Sequence, residues 1–230
     1  MNGTLKKILT SCVLPILIVV LAYVIVASIQ KPVKFDKVKD QRSVVAIQRL
    51  KDIRDLQVAY KSVNNKFAST VDSLILFYNA GQMEVVLQVG SRDDSLAVVN
   101  TDRIKKKNRK ITQEELYQLY LNGERVIASL TTKVNVKDTL FHSREGFVVD
   151  SLRYIPFSHG KEVEMEAVVK KVSGVDVPLF EARMPYDDLL LGLDHQLIVN
   201  LKADCEAMNR YKGLQVGSVT APNNNAGNWE

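Results

Sequence analysis

From Ile8 to Ile29 the chain carries no charged side chain. Nothing else in the sequence narrows the folding options as much. These 22 residues span about 33 Å as a helix at about 1.5 Å per residue. A bilayer's hydrocarbon core is about 30 Å thick. A cleaved secretion signal has a shorter apolar region, about 7–15 residues, and a small-x-small cleavage site. Here the run closes on Ala27-Ser28-Ile29-Gln30, which offers no such site. Leu9-Thr10-Ser11-Cys12 looks like a lipobox, but the apolar segment follows that cysteine instead of preceding it. The run therefore reads as a retained membrane anchor, with Cys12 unlipidated. Pro15 is tolerable inside a membrane helix. Pro32 disfavours helix at Lys31 and predicts the end of the span.

Orientation follows less directly. Lys6 and Lys7 precede the run, while Lys31, Lys34, Lys37, Lys39 and Arg42 follow it. Read literally, the positive-inside rule keeps the larger part in the cytoplasm. However, long domains translocate largely regardless of charge, and the basic tail of residues 1–7 is that of a signal anchor. An exported, periplasmic soluble part is expected, with single-pass insertion in the bacterial inner membrane.

The remaining 200 or so residues suit one domain or two small ones. Net charge is only +5, and the one dense basic run is Lys105, Lys106, Lys107, Arg109 and Lys110. No aromatics interleave with it, so no base-stacking platform exists and nucleic acid is not an expected partner. The two cysteines, Cys12 and Cys205, lie too far apart in kind and place to pair. Cys205 reads as a small buried residue in a helix.

Ala46, Leu50, Ile53, Gln57 and Tyr60 recur at helical spacing, which predicts a helix over Lys37–Ser62. Gln at that stripe argues against a coiled-coil seam, and packing within the same chain is the preferred reading over a homo-oligomer. Ser69-Thr70 with Asp72 is a helix start, and Gly81 is the expected stop. Met83–Val89 alternates as a strand, and Ser91–Lys110 reads as a polar linker. Thr112-Gln113-Glu114-Glu115 is a capping box for a helix ending near Gly123. Beyond it the period becomes two, through "TKVNVKDTLF", "GFVVDSLRYIPF", "KEVEMEAVVKKV" and "VPLFEARMP", which predicts an antiparallel meander with a turn at 158–161. Leu197–Tyr211 closes as a helix with Ile198, Leu201, Cys205 and Met208 on one side, stopped by Gly213. The class is α+β. The expected divisions are tail 1–7, anchor 8–29, a helical region 36–123 with a short strand and polar linker, sheet and closing helix 124–214, and polar tail 215–230.

No catalytic constellation emerges. His142 and His159 each stand beside a serine, but sequence neighbours do not make a nucleophile–base pair. His195 stands alone, and Asp187-Asp188 reads as a turn or helix start. No G-x-S-x-G elbow, H-E-x-x-H, paired C-x-x-C, EF-hand or phosphate loop occurs. Glu162, Glu164 and Glu166 share one strand face and read as its wet side. Neither a catalytic residue nor a cofactor or metal is expected. The residues singled out for partner contact are Tyr60, Trp229 and Glu230. Trp229 is the sole tryptophan, in a tail too polar to pack by its own pattern, and reads either as solvated or as docked on its own domain or in a partner's groove. Truncation after Ala226 is expected to leave the domain folded and membrane-bound and to weaken association with a partner.

Two resemblances are carried by quotable residues. "RLKDIRDLQVAYKSVNNKFASTVDSLILF" resembles the end of the long helix in type IV pilins and pseudopilins, through Tyr60, Asn64-Asn65, Phe67 and Asp72–Leu74. Gly3-Thr4-Leu5-Lys6 departs from the pilin processing pattern of glycine, aromatic and glutamate. "RLKDIRDLQVAYKS", "DSLRYIPF", "VPLFEA", "LDHQLIVNL" and "NNNAGNWE" are similar to a family of single-pass envelope proteins of Bacteroidota. That resemblance implies an envelope compartment and no activity. The expectation is a membrane-anchored, non-enzymatic scaffold or interaction protein. It would bind inner-membrane lipid through residues 8–29 and other envelope proteins through its soluble part, within a secretion or surface-assembly apparatus. The alternatives are an envelope hydrolase and a cytoplasmic-facing tether to anionic lipid.

Overall fold

A computed structural model describes residues 14–230, so Cys12 and the tail 1–7 lie outside the described residues. The protein is mixed α+β. Helix α1 spans Leu14–Asn64 without a break, with Pro32 inside it. The helix break expected at Lys31 is thus corrected. A proline deprives only one carbonyl, four residues back, of its donor. Here that carbonyl belongs to Ser28, at the polar end of the apolar run, where solvent or neighbouring groups can satisfy it. From Ile16 to Val26 every large apolar side chain is 50–74% exposed. The helix is long enough, and apolar enough towards its start, to cross a membrane, which is compatible with single-pass anchoring.

The stripe read from the sequence is buried as expected. Ala46, Leu50, Ile53 and Gln57 are fully covered and Tyr60 is half-buried. The chain divides into two compact units. One takes residues up to Asp55 with Asp150–Glu230; the other takes Leu56–Val149. The expected division at 123/124 falls inside the second unit, because strands on either side of it pair with each other.

In the first unit, β3 (Glu164–Val172), β4 (Val175–Pro185) and β5 (Gly213–Gly217) form an antiparallel sheet in that order. Phe180 faces Ala167, and Ala182 lies between Met165 and Val216. Opposed residues share a face, so Phe180, Ala182, Met184, Leu214 and Val216 make a buried apolar layer. Helix α1 is tied to this unit by its arginines. Arg42 donates to the carbonyls of Leu189 and Leu191 at 3.0 Å each and stacks on Phe157 at 5.0 Å. Arg49, two turns on, donates to the carbonyl of Tyr154. Short helix α6 (Tyr186–Leu189) and helix α7 (His195–Ala207) complete the unit. Asp194 caps α7 by accepting from the amides of Gln196 and Leu197. Ile198 is buried, while Leu201 and Cys205 are half-buried and Met208 is exposed. Cys205 is a free thiol, less covered than its helical pattern suggested. Gly213, expected to stop this helix, instead opens β5.

In the second unit, α2 (Val71–Ala80) starts on Thr70, whose hydroxyl accepts from the Ser73 amide. Gly81 ends it with φ −76°, so its left-handed freedom goes unused. Gln57 holds the turn before α2 in place. Its amide donates to the Ala68 carbonyl at 2.8 Å and accepts from the Ala68 amide at 2.9 Å. Strand β1 (Gln82–Val89) pairs antiparallel with β2 (Ala128–Asn135), Gln82 facing Asn135 and Val89 facing Ala128. The expected polar linker contains a helix, α3 (Ser95–Lys107). Asp94 caps it through the amides of Leu96 and Ala97, and Thr101 fixes it by accepting from the Ile127 amide at 2.9 Å. Helix α4 (Gln113–Leu121) carries the full capping box at Thr112 and Glu115. After β2 come one turn of helix, α5 (Val136–Thr139), and an aromatic cluster. Phe141 and Phe147 lie 4.4 Å apart and Tyr78 packs against both.

The antiparallel meander is present as β3-β4-β5 but is shorter than the run of period-two segments. Only 164–185 and β5 form one sheet; "GFVVDSLRYIPF" yields a 3₁₀ helix over Val149–Arg153 instead of a strand. Its apolar residues Leu152 and Ile155 are buried from irregular backbone.

Candidate functional site

Trp229 and Glu230, singled out as partner contacts, are folded onto the first unit. The terminal segment adds to the open edge of β5 through a bridge between Val216 and Gly227. The Asn228 amide donates to the Gln215 carbonyl at 3.0 Å, and Asn228 Oδ1 accepts from the Gln215 amide at 3.1 Å. Asn228 Nδ2 donates to the Gly213 carbonyl at 2.9 Å. Of the solvated and docked readings of the tail, the structure has the docked one, on the tail's own unit. Its asparagines satisfy the edge of a strand, a role that apolar periodicity cannot reveal. The indole of Trp229 lies against Gly227, where a Cβ would collide with the ring. Its Nε1 is buried without a hydrogen-bond partner. Glu230 accepts from Arg54 at 2.7 Å. That guanidinium holds the Glu230 carboxyl below the usual carboxylate range. The contact therefore contributes above the ordinary glutamate pKa and is lost as pH falls through the lowered one.

Tyr60 belongs to the second unit, where it meets Phe77 edge-on at 5.2 Å. The three predicted contact residues thus do not form one site within either unit.

Of the polar residues weighed for chemistry, Glu164 and His142 make side-chain contacts within the fold. Glu162, Glu164 and Glu166 are exposed on β3 and its approach, with Val163 buried between them. Glu164 and Glu181 flank Arg183 at 3.3 and 3.2 Å. Glu181, a buried carboxylate, also accepts from the Val219 amide at 3.3 Å. Tyr211 lies beside Arg183. Burial, and then the nearby Glu164 charge, push its hydroxyl up to about 12. This cluster clips the terminal segment to the sheet. His142 bonds the Thr139 carbonyl at 3.2 Å, His159 sits in a turn at φ 53°, and His195 opens α7. Among the described residues no group of three or more His, Cys, Asp or Glu is placed to hold a metal.

Two surfaces remain that sequence reading missed. The first is the β1–β2 ribbon. Its register puts Met83, Val85, Leu87 and Val89 on one face with Leu130 and Val134. Val85 is 37% and Leu87 46% exposed, and both long edges of the ribbon lack a further strand among the described residues. The alternation was visible in the sequence, but the exposure of Val85 and Leu87 was not, nor was the reach of α4 to β2 through the bond of Gln113 to the Ser129 amide. The second is a cleft of about 490 Å³ in the first unit, beside the end of the apolar run. Tyr23, Val24, Ser28 and Lys31 of α1 line it, with Asp194 and Leu197 at the start of α7.

Comparison of the chain with protein-family models, with curated proteins and with solved structures finds no match.

Proposed function

We propose that this is a single-pass, non-enzymatic interaction protein of the bacterial cell envelope, anchored in the inner membrane through the apolar part of α1. Its two units lie on the periplasmic side and present a docking ribbon. What supports anchoring is the uncovered apolar surface from Ile16 to Val26. The similarity to single-pass envelope proteins of Bacteroidota and the pilin-like stretch before α2 support the envelope and an assembly or secretion process. What supports the non-enzymatic reading is that Glu164 and Glu181 are held by Arg183 and that His142 bonds the Thr139 carbonyl.

The observation that carries the interaction reading is the half-exposed apolar face of the β1–β2 ribbon. A two-stranded ribbon is marginal in water without a third strand or a covering layer. The occupant that completes it is an extended segment of another envelope protein, apolar at alternate positions, added at a free edge. Lys105, Lys106, Lys107, Arg109 and Lys110 are exposed in the same unit and enter no ion pair among the described residues. They favour an acidic segment over a basic one.

The test uses the full chain in lipid discs, with hydrogen exchange read by mass spectrometry. A peptide alternating valine and aspartate is expected to slow exchange across residues 82–89 by about tenfold, equivalent to about 1.4 kcal/mol of protection. Val85→Asp with Leu87→Asp should abolish that effect. Equal protection by a valine–lysine peptide, or none by either, contradicts the reading. Protection that rises with protein concentration alone identifies a second copy as the occupant instead.

A further inference from the structure

The cleft beside α1 has a defined depth once α1 is read as crossing the membrane, and the lipid site inferred from it rests on that reading. The apolar run ends at Ile29, so Lys31 stands level with lipid headgroups. Tyr23 lies eight residues earlier, about 12 Å deeper at about 1.5 Å per residue. The cleft reaches from one to the other. Along α1 its wall runs from Tyr23 and Val24 to Ser28 and Lys31, and the start of α7 adds Asp194, Gln196 and Leu197. At that depth the space beside an apolar helix is occupied by lipid rather than by bulk water.

The charges in the cleft select among lipids. Lys31 makes no hydrogen bond or ion pair among the described residues. Asp194 uses Oδ1 to cap α7, and its Oδ2 accepts no hydrogen bond there. A cation and a carboxylate thus line one cleft without pairing with each other. We propose that the cleft seats one aminophospholipid. Its phosphate lies on Lys31 Nζ, its primary ammonium on Asp194 Oδ2, and its first methylenes along Val24 and Leu197. A glycerol headgroup would offer the Asp194 carboxylate only neutral hydroxyls and no counter-charge. A choline headgroup has no N–H to donate to it. The volume, within the range of small-ligand sites, takes a headgroup and the first methylenes while the chains continue into the bilayer.

The experiment places the full chain in phosphatidylcholine vesicles containing one photoreactive acyl-chain probe. The probe headgroup is ethanolamine, glycerol or choline, and labelled peptides are mapped by mass spectrometry. Labelling of 23–31 and 194–197 should favour ethanolamine by about fivefold, the upper range of one partly exposed ion pair. Asp194→Asn keeps a good helix cap but removes the charge, and should erase the preference for ethanolamine over glycerol. Lys31→Gln should reduce labelling by all phosphate-bearing probes at this site. Equal labelling by the three headgroups means ordinary boundary lipid and overturns the site while the anchor reading stands. Preference for glycerol overturns it as well. A chain washed off the vesicles by alkaline carbonate overturns the anchor reading and the site together.

Discussion

Phe180→Ala is expected to destabilise the first unit by about 3–5 kcal/mol. Phe180 has no exposed surface and sits on the central strand β4, with β3 on one side and β5 on the other. Its ring belongs to the layer built from Ala182, Met184, Leu214 and Val216, all buried. Truncation removes that apolar area from the core and leaves a cavity its neighbours only partly collapse into. Trp229 is the chain's only tryptophan and lies in the same unit. Its fluorescence therefore reports this transition against urea in detergent-solubilised full chain. The midpoint should fall while the slope is kept. An unchanged midpoint would mean that this layer is not the unit's core.

Truncation after Ala226 is the second large effect, and the structure reverses what the sequence led one to expect. The lost residues carry three hydrogen bonds to Gly213 and Gln215, the Arg54–Glu230 pair at 2.7 Å and the packed indole. Ordering four residues costs about 1–2 kcal/mol each in backbone entropy, so the net effect is much smaller than the sum of contacts. A net loss of about 2 kcal/mol is expected, read as a fall in Tm of about 4–8 °C for a chain of this size. Loss follows from the Gln215 amide and the Gln215 and Gly213 carbonyls at the edge of β5 returning to water, whereas the Gly217 bond to the retained Ala226 carbonyl is not cut away. Gly217 itself is held at φ +75°, and a Cβ there would collide with the Phe180 carbonyl. A truncated chain with unaltered Tm would restore the reading of a free tail.

The parts of the fold that were legible from sequence are those where local pattern and tertiary role coincide. Ala46, Leu50, Ile53 and Gln57 announce a helical stripe and are buried as one. Thr70 and Thr112 announce caps and are caps. The hairpin of β3 and β4 announces itself by alternation bounded by Ser173-Gly174. Partnership was not legible. Strand β2 alternates like the strands after it, yet it pairs back to β1 across α3 and α4. Period two says that a residue faces a sheet, not which sheet. Helix α3 was invisible because its sequence buries only Ala97 and Thr101; its Asp94 cap was the one available signal. The terminal segment contributes through asparagine side chains and a single indole, which leave no periodic trace. The same limit applies to the two surfaces. Val85 and Leu87 read only as alternating strand residues, and their exposure appears only in the fold. Lys31 and Asp194 are 163 positions apart in the chain, and only the fold brings them to one cleft.

Anchoring through α1 is the claim on which the rest stands, and alkaline carbonate extraction of membranes from bacterial cells expressing the chain tests it most directly. The chain is expected to stay in the membrane pellet through high salt and carbonate, and its peptide map there to include residues 8–29. A soluble product whose first residue lies after Ile29 would contradict anchoring.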